Sequence, residues 1–214
     1  MKFIPYLACL CLLTANAQQN TFEVAQDTLE IKEIKKPKGT FALETVYGLG
    51  IPLSTVSKIS DDAFVSKTHF GAGLRYMFNQ YWGLKTQVSI NQFRGNDGLG
   101  IDFVGGDLQM VYNLGEALAI PDATNQLLEL YLHSGFGAGY SKSIPQNRRE
   151  RVGQYILGIS PRFCLNNTVA LLFDFSYVYN LKQHFYFDGT YANENGSYTT
   201  GSYMVLAVGI ALKL

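Results

Sequence analysis

Apolar and polar residues alternate along most of the chain after residue 39, and the stretch "TVALLFDFSYVYNL" over 168–181 shows this most clearly. Val169, Leu171 and Phe173 have one parity there, whereas Asp174 and Ser176 have the other. Successive side chains of a β-strand point to opposite faces, so the pattern predicts a strand with one large apolar face and one small, polar face. A buried carboxylate without a partner is costly. We therefore expect other polar groups beside Asp174.

Seven further segments alternate in the same way, so the sequence predicts eight strands. They cover about residues 40–51, 67–78, 82–93, 102–113, 127–140, 153–165, 168–181 and 202–214. Tight turns are predicted at 79–80 and 166–167, and longer loops at 52–66, 94–101, 141–152 and 181–201. The connection 114–126 is longer than the other turns on its side and receives no predicted role. The segments are long enough for tilted strands that cross a bilayer, which need ~9–11 residues.

The composition favours a surface that faces lipid. Charged residues make up 16% of the chain, against a usual ~25%, and aromatic residues make up 14%. No stretch of the mature chain has the ~18 consecutive apolar residues of a spanning helix. A closed barrel is the other structure that satisfies every backbone hydrogen bond in lipid. The expected fold is all-β, an eight-stranded antiparallel up-and-down transmembrane β-barrel over residues 39–214.

A soluble eight-stranded barrel is the alternative. Such a barrel has apolar groups inside and charges outside, whereas the glycine-rich, charged face of this chain suits a tight interior. Aromatic residues near the strand ends also resemble the two girdles of membrane barrels. The inner-edge set is Phe78, Tyr81, Trp82, Tyr112 and Phe163, and the outer-edge set is Phe93, Tyr140, Tyr155, Tyr179 and Tyr203.

Several charged residues share the inward parity of Asp174. The predicted polar network inside the barrel consists of Glu44, Arg75, Lys85, Asp107, Glu129, Arg162 and Asp174. The interior of an eight-stranded barrel is only wide enough for side chains to fill it. Because buried charges need partners, the four acids and three bases of this set should pair with one another.

The N-terminus differs from the rest of the chain. The stretch "MKFIPYLACLCLLTANA" has a charged start, a short apolar core and a small-residue cleavage motif, which predicts a signal peptide over 1–17. Residues 18–38 are polar and are predicted to form a periplasmic N-terminal tail. Removal of the signal peptide leaves Cys164 as the only cysteine, which excludes an internal disulfide. The mature chain keeps 16 bases against 17 acids, and this charge of −1 gives no indication of nucleic-acid binding.

Candidate catalytic residues are few. His69 and His133 have inward parity and are interpreted as neutral or paired residues of the interior. A hydrolase that edits lipid would need a serine and a histidine within hydrogen-bond reach, but His133 and Ser134 are adjacent and point to opposite faces. We therefore predict no enzymatic activity, no cofactor and no metal site.

The predicted loop 141–152 contains three arginines, Arg148, Arg149 and Arg151. Guanidinium groups bind phosphates well, which makes these arginines candidates for contact with lipopolysaccharide. A solvated loop is the competing interpretation, because Glu150 and nearby acidic loops offset the positive charge.

The order and spacing of several stretches resemble the barrel domain of OmpA-like outer-membrane proteins over about residues 40–214. These stretches are "HFGAGLRYMFNQYWGLKTQVSINQF", "DLQMVYNLG", "LHSGFGAGYS", "VGQYILGISPRF" and "DFSYVYNLKQHFYFDG". The resemblance implies a barrel in the outer membrane of a Gram-negative bacterium, with both termini in the periplasm. The sequence ends at Leu214, so we expect no peptidoglycan-binding domain of the kind that family often carries.

The expected function is a structural or surface-interaction role of a non-enzymatic barrel. Outer-membrane lipid and lipopolysaccharide are the expected contacts, and envelope or surface proteins are candidate partners. The alternative is a small pore or transport-associated channel, and a lipid-modifying outer-membrane enzyme ranks third.

Overall fold

The computed structural model describes residues 39–54, 65–95, 98–192 and 198–214. The predicted signal peptide and periplasmic tail lie outside the described residues. Eight strands cover β1 Thr40–Ser54, β2 Val65–Met77, β3 Trp82–Arg94, β4 Gly100–Asn113, β5 Leu128–Ser143, β6 Arg149–Cys164, β7 Val169–Gln183 and β8 Thr199–Lys213. Two short helices, α1 Leu114–Ala117 and α2 Ile120–Ala123, lie between β4 and β5.

The strands form one closed antiparallel barrel in the order β1 to β8. Each strand pairs with its sequence neighbours, and β8 pairs with β1 from Ala42↔Lys213 to Ser54↔Ser202. The predicted fold of eight antiparallel up-and-down strands is confirmed. No helix in the described part of the chain is long and apolar enough to cross a membrane.

Side chains alternate between the two faces of the barrel wall as the sequence predicted. In β1, Phe41 and Leu43 are 51% and 39% exposed on the outside, whereas Ala42 and Glu44 are each 2% exposed on the inside. In β3, Val88 lies outside and is 59% exposed, while Lys85 is buried inside. Large apolar side chains therefore cover the outer surface, and the interior takes most of the charges of the strands.

The two ends of the barrel differ. At the turn end, where β1 begins and β8 ends, two connections are tight: Asn79 accepts hydrogen bonds from the amides of Tyr81 and Trp82, both at 2.8 Å. Asn166 accepts in the same way from Thr168 and Val169, both at 2.8 Å. An asparagine side chain that binds the backbone a few residues ahead favours a turn. The connection 114–126, which had no predicted role, contains α1 and α2 at this end.

At the opposite end, the loop end, the strands extend beyond their predicted limits. The predicted loops 94–101 and 141–152 are shorter in the structure, because β4 begins at Gly100, β5 continues to Ser143 and β6 begins at Arg149. Lys142 pairs with Arg149 in the β5–β6 ladder. Most of these residues are polar, charged or glycine, so their side chains gave no alternating apolar signal even though their backbones form strands.

The β6–β7 ladder has one gap and ends before the loop-end limit of β6. No ladder pair joins Ser160 or Pro161 to β7, between the pairs Ile159↔Phe175 and Arg162↔Leu172. Proline has no N–H to donate, which explains the gap beside Pro161. The ladder also stops at Gln154↔Asn180, well before β6 reaches its loop-end limit at Arg149.

Candidate functional site

The seven residues of the predicted polar network come from seven successive strands, from Glu44 in β1 to Asp174 in β7. Five of the seven are buried inside the barrel, and Asp107 and Glu129 are partly buried. Each side chain enters the interior because it has the inward parity of its strand. The fold therefore gathers charges that are far apart in sequence, such as Glu44 and Arg162, into one small volume.

Glu44 lies at the centre of the network with three bases around it. Arg75 Nε and Arg162 Nη2 each donate a hydrogen bond to Glu44 Oε1 at 2.7 Å. Lys85 Nζ lies 3.7 Å from Glu44 Oε2. All four side chains are 4% exposed or less, so water does little to screen them.

Tyr131 separates the two arginines from the turn end. The guanidinium carbons of Arg75 and Arg162 lie 4.5 Å and 4.2 Å from the centroid of its ring. The face of an aromatic ring attracts a cation. The Tyr131 ring therefore helps Glu44 to stabilise the two neighbouring guanidinium charges. The Tyr131 hydroxyl donates to Glu129 Oε2 at 3.1 Å. Tyr131 was not predicted as part of the network, although it shares the parity of Glu129.

Asp174 has four partners in the interior. The hydroxyl of Ser176 donates to Oδ1, and that of Ser160 donates to Oδ2 at 3.4 Å. Lys85 Nζ and His133 Nε2 lie 3.5 Å and 3.7 Å from Oδ2. Lys85 thus connects Asp174 to Glu44, and these contacts explain how a carboxylate is tolerated within an apolar stretch of sequence.

Gly158 provides the space for this group. A Cβ atom at Gly158 would overlap the His133 ring and the Ser176 hydroxyl. The inward glycine therefore lets a histidine and a serine from neighbouring strands approach Asp174. Such a position is a close approach between backbone and side chains, which glycine alone permits.

Asp107 and Glu129 have other kinds of partner. Asp107 accepts a hydrogen bond from Gln109 Nε2 at 2.6 Å, and Gln109 Oε1 lies 2.6 Å from His133 Nδ1. Glu129 pairs with Lys213, whose Nζ lies 2.6 Å from its Oε1, near the turn end. Lys213 adds a fourth base that the sequence analysis did not include in the network.

An aromatic cluster closes the interior towards the loop end. Phe93, Phe103 and Tyr203 come from β3, β4 and β8, and Phe187 comes from the β7–β8 connection. The Phe93 centroid lies 4.7 Å from that of Phe187, 5.2 Å from that of Tyr203 and 5.8 Å from that of Phe103. The assignment of Phe93 and Tyr203 to an outer aromatic girdle is therefore wrong. Both have the inward parity of their strands, and this parity, not nearness to a strand end, determines where their rings lie.

Little open space remains between the polar network and the aromatic cluster. The interior there holds a cavity of about 20 Å³, lined by His69, Lys85, Asp107, Asp174 and Tyr203 among others. This is enough room for about one water molecule. In the described part of the chain, no group of three or more His, Cys, Asp or Glu side chains is placed to hold a metal ion.

The β7–β8 connection folds over the loop end of the barrel. Ser143 Oγ donates to the Gly189 carbonyl at 2.6 Å, and Arg148 Nη1 donates to the Tyr191 hydroxyl at 2.9 Å. Glu150 Oε2 accepts from the His184 amide at 2.7 Å and lies 2.7 Å from His184 Nδ1. These contacts join this connection to the β5–β6 hairpin.

The remaining candidate residues lie apart from one another. Arg149 and Arg151 are exposed on the outer face of β6, whereas Arg148 contacts Tyr191. His133 points into the interior, while the Ser134 hydroxyl donates to the Tyr155 hydroxyl at 2.9 Å. The adjacent histidine and serine are therefore on opposite sides of the wall.

Comparison with solved structures identifies the fold. No family model matches the sequence, and no curated protein matches it. Neisserial surface protein A is similar with a TM-score of 0.53 and 12% identity, over 83% of this chain and 99% of that chain. A major outer membrane protein from Thermus thermophilus is similar with a TM-score of 0.51 and 10% identity, over 82% and 99% of the two chains. The chain has the fold of outer-membrane β-barrels, and identities this low extend the likeness to the fold alone.

Glu44→Gln should lower the free energy of unfolding by ~3–5 kcal/mol, because it keeps the shape of the side chain and leaves two buried arginines without their acid, while Lys85 keeps only Asp174. The unfolding midpoint in urea, measured in phosphatidylcholine vesicles, reports the change. Glu129→Gln is the matched control, since Glu129 and Lys213 are 16% and 32% exposed. A partly exposed pair contributes ~1 kcal/mol or less. Equal losses in the two variants would contradict the central position of Glu44.

Asp174→Leu should also destabilise the barrel, because it removes the acid that Lys85 and His133 face. Adding Lys85→Met should recover part of the loss, since Glu44 keeps its two arginines and one fewer base is left unpaired. Neighbouring residues of this kind couple by ~0.5–3 kcal/mol in a double-mutant cycle. The four proteins of the cycle are compared by urea unfolding in vesicles. Strictly additive losses would show that Lys85 is not the partner of Asp174.

Proposed function

We propose that this chain is a non-enzymatic barrel of a Gram-negative outer membrane with a structural or surface-interaction role. The observation that carries the proposal is that the side chains are distributed in the opposite way to those of a soluble barrel. Large apolar groups lie outside and charged groups lie inside. Val88, Leu108 and Phe136 are 59%, 58% and 66% exposed on the outer wall. Soluble monomers rarely expose a continuous apolar surface of this size, whereas lipid covers such a surface without cost.

The aromatic residues at the turn end support the same proposal. Trp82 and Tyr112 face outward with ring centroids 4.6 Å apart, and Phe41 and Tyr76 form a second outward pair at 4.5 Å. Aromatic rings of this kind favour the boundary between hydrocarbon and water. The proposed orientation places the turn end and both termini in the periplasm and the loop end outside. Residues 1–17 and 18–38 are proposed as the signal peptide and a periplasmic tail.

The interior argues for a role at the outer surface and against transport. In the described part of the chain, the polar network and the aromatic cluster occupy the interior from Tyr131 to Phe187, and the cavity between them measures about 20 Å³. The β7–β8 connection is held to the β5–β6 hairpin by side-chain hydrogen bonds. The loop end therefore offers a defined surface to lipopolysaccharide or to envelope and surface proteins, which are the proposed partners.

Cell fractionation tests the proposed location. The protein should be recovered with the outer membrane, and an unboiled sample should migrate faster on a gel than a boiled one because the closed barrel resists the detergent. An outer-membrane barrel of known behaviour and a soluble periplasmic protein serve as controls. Recovery in the soluble periplasm would end the proposal.

Planar bilayers should record little or no stable ion conductance from the purified protein. An eight-stranded barrel has an interior that side chains fill, and the aromatic cluster closes this interior at the loop end. A porin measured in the same bilayers confirms that the assay detects open channels. Steady conductance of porin size would favour the small-pore alternative.

A further inference from the structure

The outer wall of the barrel has a groove between β6 and β7 near the loop end. The β5–β6 ladder continues up to Lys142↔Arg149, but the β6–β7 ladder stops at Gln154↔Asn180. In the described residues, no ladder pair joins 149–153 to 181–183. The two strands therefore separate over this stretch and leave a recess of about 650 Å³ on the outside.

Side-chain hydrogen bonds join neighbouring elements on the turn-end and the loop-end side of the recess. Below it, Gln154 Nε2 donates to Asn180 Oδ1 at 3.0 Å and to the Tyr203 hydroxyl at 3.2 Å. Above it, the Glu150 carboxylate binds the amide and ring of His184, at 2.7 Å each. The recess is thus a lateral groove on the outer wall, and it shares no lining residue with the cavity beside the polar network.

The wall of the groove is apolar and its rim is basic. Ala138, Tyr140, Gly153 and Leu181 provide the apolar surface. A Cβ at Gly153 would lie 3.4 Å from the Leu181 side chain, so the glycine leaves space that a larger residue could occupy without overlap. Arg151 and Lys182 line the same groove. The Lys182 ammonium lies 5.3 Å from the centroid of the Tyr198 ring, which holds the side chain and leaves its charge intact.

Among the described residues, no acid forms an ion pair with the basic side chains of this rim. Glu150, which was expected to offset the arginines, directs its carboxylate to the Ser141 hydroxyl and the His184 ring and not to Arg149 or Arg151. Asp102 forms an ion pair with Arg94 at 2.6 Å. Lys142 and Arg149 are paired neighbours on the outer face and extend the basic surface beyond Arg151. A basic patch beside an apolar groove is complementary to a lipid that carries both phosphate and acyl chains.

We propose that this groove binds a phosphorylated, multiply acylated glycolipid of the outer leaflet. Arg151 and Lys182 contact a phosphate, and one acyl chain lies against Ala138, Gly153 and Leu181. The inference rests on the proposed function, since it needs the loop end to face the outer leaflet. It names a defined site and the parts of the lipid bound there, whereas the arginines of the sequence predicted only a contact with lipopolysaccharide.

Native mass spectrometry of the folded protein in dodecyl maltoside tests the site, with lipid A as the probe. Phosphatidylcholine and inorganic phosphate are tested separately, because phosphatidylcholine supplies acyl chains without net negative charge and inorganic phosphate supplies a phosphate without acyl chains. The wild type should retain one lipid A and neither of the other probes. Combining Arg151→Gln with Lys182→Gln should raise the Kd for lipid A by at least about tenfold, since each base near an anionic lipid contributes ~1 kcal/mol.

Two matched controls separate the site from the general surface. Gly153→Leu fills the groove and should weaken lipid A binding, whereas Gly106→Leu adds the same side chain to an open outward position of β4 and should not. Arg148→Gln removes a charge that contacts Tyr191 outside the groove and should also leave the Kd within about twofold. Each variant is first checked for the fast-migrating folded form on an unboiled gel.

The outcomes distinguish this inference from the proposed function. Equal retention of phosphatidylcholine, unchanged affinity in the Arg151 and Lys182 double variant, or equal losses in the two leucine variants would each overturn the glycolipid site. The barrel could still lie in the outer membrane in all three cases. Failure of the wild type to insert into vesicles would instead overturn the proposed function.

Discussion

Glu44 binds two arginines directly and lies near a lysine that reaches Asp174, and this arrangement constrains the whole barrel. Burying a charge is expensive unless partners and hydrogen bonds compensate for the loss of water. The partners come from different strands, so they meet only when all the strands have the correct register. A slip of one residue would turn an inward charge towards lipid and an outward apolar group into the interior. The polar network therefore stabilises the barrel and selects its register.

The same constraint explains the layers along the barrel axis. Near the turn end, Tyr131 covers the two arginines and Lys213 pairs with Glu129 at the boundary with water. Near the loop end, the aromatic cluster around Phe93 and Phe187 covers the network and keeps bulk water away from it. With both ends covered, the ion pairs lie in a medium that strengthens their attraction and makes an unpaired charge costly. A barrel built in this way is a rigid support for the surface at its loop end.

Side-chain parity was enough to predict the fold and the position of the charges. Each strand repeats the alternation over many residues, so Glu44, Arg75 and Asp174 could be assigned to the interior from their own strands. Other features needed three-dimensional information. Phe187 lies in a connection without alternation, and the extra strand residues around Lys142 and Arg149 are polar on both faces. The pairing of Glu44 with Arg162, which lie on β1 and β6, depends on distances across the barrel that parity does not contain.

Nuclear Overhauser effects between lipid acyl chains and valine methyl groups test the central claim most directly, because they require no mutation. The protein is methyl-labelled and placed in phosphatidylcholine nanodiscs. The outward valines Val88, Val104 and Val208 should contact acyl chains, whereas the inward valines Val46, Val178 and Val205, which are 3–5% exposed, should not. Acyl-chain contacts at the inward set, or water contacts without acyl-chain contacts at the outward set, would contradict a barrel that has a polar interior and faces lipid.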